Sequence, residues 1–271
     1  MLEGTPGIAL FLFALPLILG NLFQQFYNMV DSMIVGQFVG ENALAAVGAS
    51  YALTNVFVMI AIGGGMGASV ITSQYLGAGD TEKMKTSVYT ALLTFLAVGS
   101  LLGIFGFLMN RQILLWLHTP DNIIAAAGTY LGIYFLGMPF LMIYNFGAAV
   151  LRSKGDTKRP LYCLIISGVI NACLNLLFVI VFKLSVAGVA IATVIADGVS
   201  AVLIIYFLMN EEETIRLRLN KLKIKKSELI KVIKIGVPAG LQGVVFSVSN
   251  VCIQTAINSF GSDAVAGSAT G

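Results

Sequence analysis

The 271-residue sequence has very little charge. Only 11% of its residues are charged, against about 25% in an average soluble domain. Hydrophobic residues make up 58% of the chain, and its mean hydropathy is +0.91. This composition excludes an ordinary water-soluble domain, and the small net charge of +3 gives no reason to expect nucleic-acid binding.

Residues that hold metals or form disulfides are also scarce. The three cysteines, Cys163, Cys173 and Cys252, all lie in apolar segments, where cysteine acts as a small hydrophobic residue. The single histidine, His118, stands in a short segment beside Trp116. No HExxH pattern or Asp-rich metal motif is present, so the sequence predicts neither a membrane metalloenzyme nor a resident cofactor.

Long apolar runs fill the chain instead, and each is long enough for the ~20 residues that cross a bilayer as a helix. They predict an all-α membrane protein of seven helices. The predicted spans are Ile8 to Phe38, Leu44 to Leu76, Ser87 to Met109, Ile123 to Leu151, Leu161 to Phe182, Val186 to Met209 and Leu229 to Phe260. Pro16 and Pro139 lie inside two of them and are expected to bend the helix axis.

Lysine and arginine are distributed unevenly along the chain. Fourteen of the sixteen lie after predicted helices two, four and six, and the other two are Arg111 and Lys183. Because cytoplasmic loops are rich in these residues, we expect a multi-pass plasma-membrane protein with a cytoplasmic N-terminus. For the loop RSKGDTKRP, a hypothesis beyond its role in topology is that Asp156 pairs with Arg152 while the lobes rock.

An internal repeat divides the sequence into two unequal units. Pro16 aligns with Pro238 and Asn28 with Asn250, both 222 positions apart, and a basic stretch precedes the second copy. Repeated halves with the substrate site between them are typical of transporters. We therefore expect a six-helix lobe at 1–209, a cytoplasmic basic linker at 210–228 and the first helix of a second lobe at 229–271, in a chain that is a fragment unable to transport alone.

Polar residues inside these helices are the candidates for function. Asn21, Gln24, Asn28 and Asp31 are spaced by three or four residues, which places them on one face of helix one. Helix five has Asn171 and Asn175, and helix six has Thr193 and Asp197. An ionisable group within a membrane is by default a functional hypothesis. The alternatives are that Asp31 caps the outer end of its helix, and that the asparagines only join helices.

Several segments resemble members of the MATE family (multidrug and toxic compound extrusion), in order and over essentially the whole chain. The most recognisable are NxVDxxxVG, with Asp31, and RxxGDTxxP, with Arg152 and Asp156. The resemblance implies a twelve-helix fold in two six-helix lobes, and exchange of H⁺ or Na⁺ for organic, often cationic drugs. This chain would supply the N-terminal lobe and helix seven.

The resemblance also implies roles for individual residues. Asp31 corresponds to a proton or cation site, Pro16 to the hinge of helix one, and Asn175 to a position that is often Asp in the family. Asp197 is expected to supply the missing carboxylate, so that the predicted coupling residues are Asp31, Asp197, Asn171 and Asn175, with a possible Na⁺ site at Asp31 and Asn175. The predicted substrate cavity is lined by Gln24, Asn28, Thr193, Asn145 and Gln242.

Two other functions are weighed against this one. A lipid-linked precursor flippase of the same superfamily would need cations in its cavity to hold a pyrophosphate, and the helices here contain acids and amides. The inside N-terminus argues against a seven-helix receptor. The expected partners are small organic drugs and membrane lipids, without nucleic acid, and the complete protein is expected to be a monomeric transporter rather than an enzyme.

Overall fold

The computed structural model describes residues 6–211, 216–218, 223–260, 264, 265 and 267. Eight α-helices form within these residues, and their lengths follow from the uninterrupted apolar runs. The helices are α1 (Pro6–Phe38), α2 (Glu41–Gly77), α3 (Thr81–Trp116), α4 (Asp121–Leu136), α5 (Met138–Ser153), α6 (Lys158–Leu176), α7 (Ser185–Met209) and α8 (Lys226–Asn258).

Eight helices replace the seven predicted because the fourth span is broken. Its two parts, α4 and α5, meet at Gly137 and are bent by 49°. Pro139, which has no N–H and whose ring clashes with the preceding turn of a helix, is the second residue of α5. In the described residues, five helices are long and apolar enough to cross a membrane, and the bent pair adds a sixth span if it is counted as one. The five are α2, α3, α6, α7 and α8.

The 33-residue α1 is about 50 Å long at 1.5 Å per residue, which is ample for a bilayer. The 33-residue α8 is its equal in length, and each helix contains a proline, Pro16 or Pro238, about a third of the way along it. This likeness agrees with the internal repeat. Helix α6 continues into a π-helical turn at Leu177–Val181, which the sequence analysis did not anticipate.

The three basic segments meet at one end of the bundle. A buried carboxylate, Glu211, accepts from Lys154 Nζ at 2.6 Å and from the Arg159 guanidinium, so that the α5–α6 loop is tied to the second residue after α7. The linker backbone is held against α3, where the Thr90 hydroxyl donates to the Lys223 carbonyl at 3.3 Å. This convergence agrees with the predicted topology. Linker residues 212–215 and 219–222 lie outside the described residues.

Asp156 does not contact Arg152 in this structure, and their pairing during lobe rocking stays a prediction. Asp156 instead caps α6: its Oδ1 accepts from the backbone nitrogens of Lys158 and Arg159, at 3.0 and 3.2 Å. Its other carboxylate oxygen lies 3.2 Å from Arg159 Nε. The short turn brings the carboxylate to the start of α6, while Arg152 stays on the last turn of α5 and faces elsewhere.

We expect Glu211→Ala to destabilise the cytoplasmic end of the bundle by about 1–3 kcal/mol, since hydrogen bonds to charged groups are lost. The Glu211 side chain is only 3% exposed, whereas Lys154 and Arg159 are 27% and 40% exposed, so neither cation is fully buried in the variant. Thermal unfolding of the purified full-length protein measures the effect. Lys158→Ala, which removes an exposed cation of the same loop, is the control and should change stability by less than about 0.5 kcal/mol.

Helix α8 packs along α2 at a crossing made of glycines. A Cβ added to Gly63 would lie 2.1 Å from the Cα of Gly240, and one added to Gly67 would lie 2.4 Å from the Val232 carbonyl oxygen. Towards the basic end, the Tyr75 hydroxyl donates to the buried Glu228 carboxylate at 2.7 Å. The two backbones can approach this closely only because no side chain separates them.

Candidate functional site

A cavity of about 470 Å³ lies between α1, α2 and the α4–α7 helices. It extends from the middle of the bundle to the basic end, where Arg152, Thr157 and Pro160 form its rim. The volume is within the usual range of about 300–1,000 Å³ for sites that bind small organic molecules. Its walls mix polar groups with aromatic rings, which suits a ligand that is only partly apolar.

The polar stripe of α1 faces this cavity. Asn21, Gln24, Asn28 and Asp31 all line it, as their shared helix face predicts. The opposite side of α1 carries large apolar residues that are exposed, among which are Leu22, Phe26 and Met33. Helix α1 therefore separates a polar lumen from an apolar outer surface. Pro16 also lines the cavity, inside a helix that continues on both sides of it.

Asp31 is the centre of a hydrogen-bonded cluster at the inner wall. The amide nitrogen of Asn175 donates to Asp31 Oδ1 at 2.5 Å, across 144 residues of sequence. Asn175 and Asn171 are fully buried, one turn apart on α6, and Asn171 lies beside the buried hydroxyl of Thr193 on α7, 3.3 Å away. The cluster therefore joins α1, α6 and α7, and it brings together four of the residues chosen from the sequence.

The orientation of the Asn171 amide depends on the charge of Asp31. With its nitrogen towards the carboxylate, Asn171 donates to both oxygens of Asp31, at 2.9 and 3.1 Å. With its oxygen there, it faces an acceptor unless Asp31 carries a proton to donate. Amide oxygen and nitrogen are assigned from such networks rather than observed. The same side chain thus satisfies either state of Asp31, by rotating about its terminal bond.

One oxygen of this cluster has no hydrogen-bond partner. Asn175 Oδ1 is buried and accepts no hydrogen bond from any residue in the described part of the chain. Buried polar atoms are normally paired, and each exception calls for an explanation. A carboxylate oxygen, an amide oxygen and a hydroxyl are the ligands that hard cations prefer. Asp31, Asn175 and Thr193 provide one of each.

Asp197 lines the cavity on the same helix as Thr193, one turn further towards the basic end. Its side chain is half-buried rather than fully buried. Within the described residues its carboxylate makes no hydrogen bond or ion pair. The hydroxyls of Tyr27 and Tyr130 lie within electrostatic range of both Asp197 and Asp31.

Of the other predicted cavity residues, one lies elsewhere. Asn145 lines the cavity on α5, where its amide nitrogen donates to the Leu141 carbonyl at 2.9 Å. Gln242 does not line this cavity and is exposed on α8. Its place in a substrate cavity of the complete protein stays a prediction.

The aromatic part of the wall was not predicted from the sequence. Tyr130 and Tyr134, one turn apart on α4, stack with ring centroids 6.2 Å apart, and Tyr27, Tyr51 and Tyr144 complete the tyrosine lining. Helix α2 also contributes lining residues, and their spacing in the sequence places them on one face of the helix. They are Tyr51, Thr54, Asn55, Val58 and Ile62.

Comparisons with known proteins agree with one another. The family model MatE matches residues 16–177. The chain is 32% identical over 267 residues to the Probable multidrug resistance protein YpnP of Bacillus subtilis, covering 98% of this chain and 59% of that protein. It is 34% identical over 265 residues to the Probable multidrug resistance protein YoeA of the same organism, covering 94% and 57%.

Solved structures show the same fold. An inward-facing multidrug resistance MATE family transporter of the MOP superfamily superimposes with a TM-score of 0.84 at 23% identity, covering 91% of this chain and 56% of that one. A MOP superfamily transporter from Pyrococcus furiosus, described as having a binding pocket of reverse polarity, gives a TM-score of 0.83 at 24% identity, with 90% and 54% covered. The chain thus spans little more than half the length of the relatives it matches.

Proposed function

The chain belongs to the MatE family, and on that premise we propose that it forms the N-terminal lobe of a multidrug exporter that exchanges H⁺ or Na⁺ for organic drugs across the plasma membrane. The observation that carries the proposal is the Asp31 carboxylate held by Asn175 in the wall of a drug-sized cavity. An acidic group there can bind an ion and face a drug in the same lumen. We regard the whole protein as a transporter and not an enzyme.

Coupling in this proposal rests on competition for the charge of Asp31. When Asp31 is ionised, it accepts from both asparagines and attracts a cationic drug into the cavity. When it binds a proton or Na⁺, that attraction is cancelled. Neutralisation favours bending of α1 at Pro16, which narrows the lumen and expels the drug. A ligand shifts the equilibrium between the straight and the bent α1 only by its difference in affinity for these two states. The charge of Asp31 provides that difference in affinity.

Asp197, Asn171 and Thr193 complete the proposal. Asn171 and Thr193 adjust to the charge of Asp31, and Asp197 adds a second acidic group in the lumen where the equivalent of a helix-five carboxylate is replaced by Asn175. The coupling ion is the only cofactor-like species required. The proposed partners are drugs and the surrounding lipids, and the full-length protein is proposed to act as a monomer with a cytoplasmic N-terminus.

The flippase alternative gains no specific support. A pyrophosphate is held by several cations, whereas the described lining carries two acids, Asp31 and Asp197, and Arg152 as its cation.

Transport by the full-length protein in proteoliposomes tests the proposal. A fluorescent organic cation should accumulate against its gradient when either a pH gradient or a Na⁺ gradient is imposed, and the two gradients applied separately identify the ion. Accumulation that ignores both gradients would contradict the proposal.

Replacing Asn175 tests whether the amide matters for coupling. We expect Asn175→Leu to slow gradient-driven efflux about 10- to 100-fold, the factor that corresponds to losing one hydrogen bond to a charged group. Initial efflux rates in the proteoliposomes measure this. Asn122→Leu, at an exposed amide on α4 outside the cavity lining, is the matched control and should keep the normal rate. Equal rates in the two variants would show that the Asn175–Asp31 contact is only structural.

A further inference from the structure

The linker between α7 and α8 carries cations that the proposed mechanism does not use. Six of the eleven residues at 216–226 are lysine or arginine. At the end of this stretch, Lys223, Lys225 and Lys226 are exposed. Their side chains form no ion pair within the part of the chain that the structure describes. These three lysines and Ile224 form the basic segment, residues 223–226.

The acids near the basic segment are paired with other cations. Asp80 and Glu228 lie within electrostatic range of Lys225. Asp80 forms its ion pair with Lys83, at 2.7 Å. Glu228 forms its ion pair with Lys231, at 3.1 Å. The basic segment therefore keeps an excess of positive charge at its surface.

Protein contacts hold the basic segment against α3. The buried Thr90 hydroxyl donates to the Lys223 carbonyl at 3.3 Å and accepts from the backbone nitrogen of Lys225 at 3.1 Å. Ile224, which lies between these two bonds, has 58% of its surface exposed. Earlier in the linker, Leu217 is buried in the core of the bundle. The fold thus presents the lysines and an apolar side chain together, at a fixed place on α3.

The depth of that place in the membrane follows from α3 itself. The large apolar side chains that α3 exposes begin at Leu96 and end at Trp116, which is about 30 Å at 1.5 Å per residue. That length equals the hydrocarbon thickness of a bilayer. Thr90 comes six residues before Leu96, about 9 Å beyond the hydrocarbon and at the edge of the headgroup layer. The basic segment therefore lies at the level of the phospholipid phosphates.

We propose that the basic segment is a docking surface for anionic phospholipids of the cytoplasmic leaflet. The lysines bind the negatively charged headgroups, and Ile224 inserts among them, as apolar side chains do in segments that lie in the membrane interface. Anionic lipid strengthens binding about fivefold for each lysine or arginine near the membrane surface. The depth of the segment favours lipid over a soluble acidic protein, which approaches from the water beyond the headgroups.

Lipid binding to the purified full-length protein tests this surface. Phosphatidylglycerol and phosphatidylcholine with the same acyl chains are titrated separately in detergent, and native mass spectrometry counts the bound lipids. We expect the unaltered protein to prefer phosphatidylglycerol. The variant with Lys223→Gln, Lys225→Gln and Lys226→Gln should lose at least about 10-fold in affinity for it, since three cations are removed. Its affinity for phosphatidylcholine should stay within about twofold.

The matched control removes three exposed cations elsewhere, through Arg111→Gln, Lys158→Gln and Lys183→Gln. This variant has the same net charge as the first and should keep the affinity for phosphatidylglycerol within about twofold. Equal losses in the two variants would overturn the proposal, because binding would then follow net charge alone. A lack of preference for phosphatidylglycerol in the unaltered protein would also overturn it.

A second measurement locates the segment while all three lysines stay in place. Ile224→Cys is labelled with an environment-sensitive fluorophore in a full-length protein whose other cysteines are replaced by alanine, and the protein is placed in nanodiscs containing phosphatidylglycerol. We expect a lipid with a spin label near its headgroup to quench the fluorophore more than a lipid labelled at the end of its acyl chain. Emission that neither lipid quenches would contradict the proposal. Both experiments are independent of drug export, so their failure leaves the proposed function unaffected.

Discussion

Asp31→Asn is expected to abolish gradient-driven efflux while leaving the protein folded and inserted. The carboxylate accepts from Asn175 at 2.5 Å in the wall of the cavity. An amide of the same shape cannot take up and release a proton, and it holds Na⁺ less well because it has no charge. We expect the uphill accumulation of a cationic dye to fall to the level of protein-free vesicles, because an intramembrane acid that serves a transport cycle loses its ion when it becomes an amide.

The control for this variant is an acid of the same chain that touches neither the cavity nor the cluster. Glu82, in the first turn of α3, is exposed and does not line the cavity, so Glu82→Gln should transport normally. Size-exclusion profiles and membrane yields of both variants should match those of the unaltered protein. Near-normal uphill efflux by Asp31→Asn would contradict the assignment of Asp31 as the coupling residue.

Gly63→Ala is expected to have the largest effect on stability. The added Cβ would lie 2.1 Å from the Cα and 2.2 Å from the nitrogen of Gly240. Both atoms belong to the backbone of α8, so no flexible side chain can move aside, and α2 and α8 must separate along their length. Overpacking of this kind costs about 1–3 kcal/mol and sometimes more. We expect a lower thermal midpoint and much reduced transport.

Gly77→Ala is the matched control for that prediction. Gly77 is the last residue of the same helix, and a Cβ there meets no atom within 4 Å. Because Gly is about 1 kcal/mol less favourable than Ala in a helix interior, this variant should be neutral or slightly stabilising. The two substitutions are chemically identical, so a similar midpoint for both would show that the α2–α8 crossing is looser than described here.

Much of the site follows from helix periodicity alone. Four polar residues of α1 share one face because their spacing matches 3.6 residues per turn, and lipid cannot satisfy them, so that face turns to the lumen. The same reasoning placed Asn171 and Asn175 on one side of α6. Their contact with Asp31 was expected, and it forms. Asn28 shares the lumen but makes no hydrogen bond to Asp31 within the described residues.

Other features depend on how helices pack, which periodicity does not determine. Pro139 indicated a bend, but the break at Gly137 and its 49° angle arise from the contacts of two separate helices. Asp156 was proposed to pair with Arg152 during lobe rocking. The turn geometry turned Asp156 towards α6 instead.

The central claim is that the ion and the drug compete through Asp31, and ion release on drug binding tests it most directly. The purified full-length protein is titrated with a cationic drug in weakly buffered solution, with a pH electrode and a Na⁺ electrode in the same cell. The account predicts that drug binding releases one of the two ions from the unaltered protein and none from Asp31→Asn. Drug binding that releases neither ion, or equal release from both proteins, would contradict it.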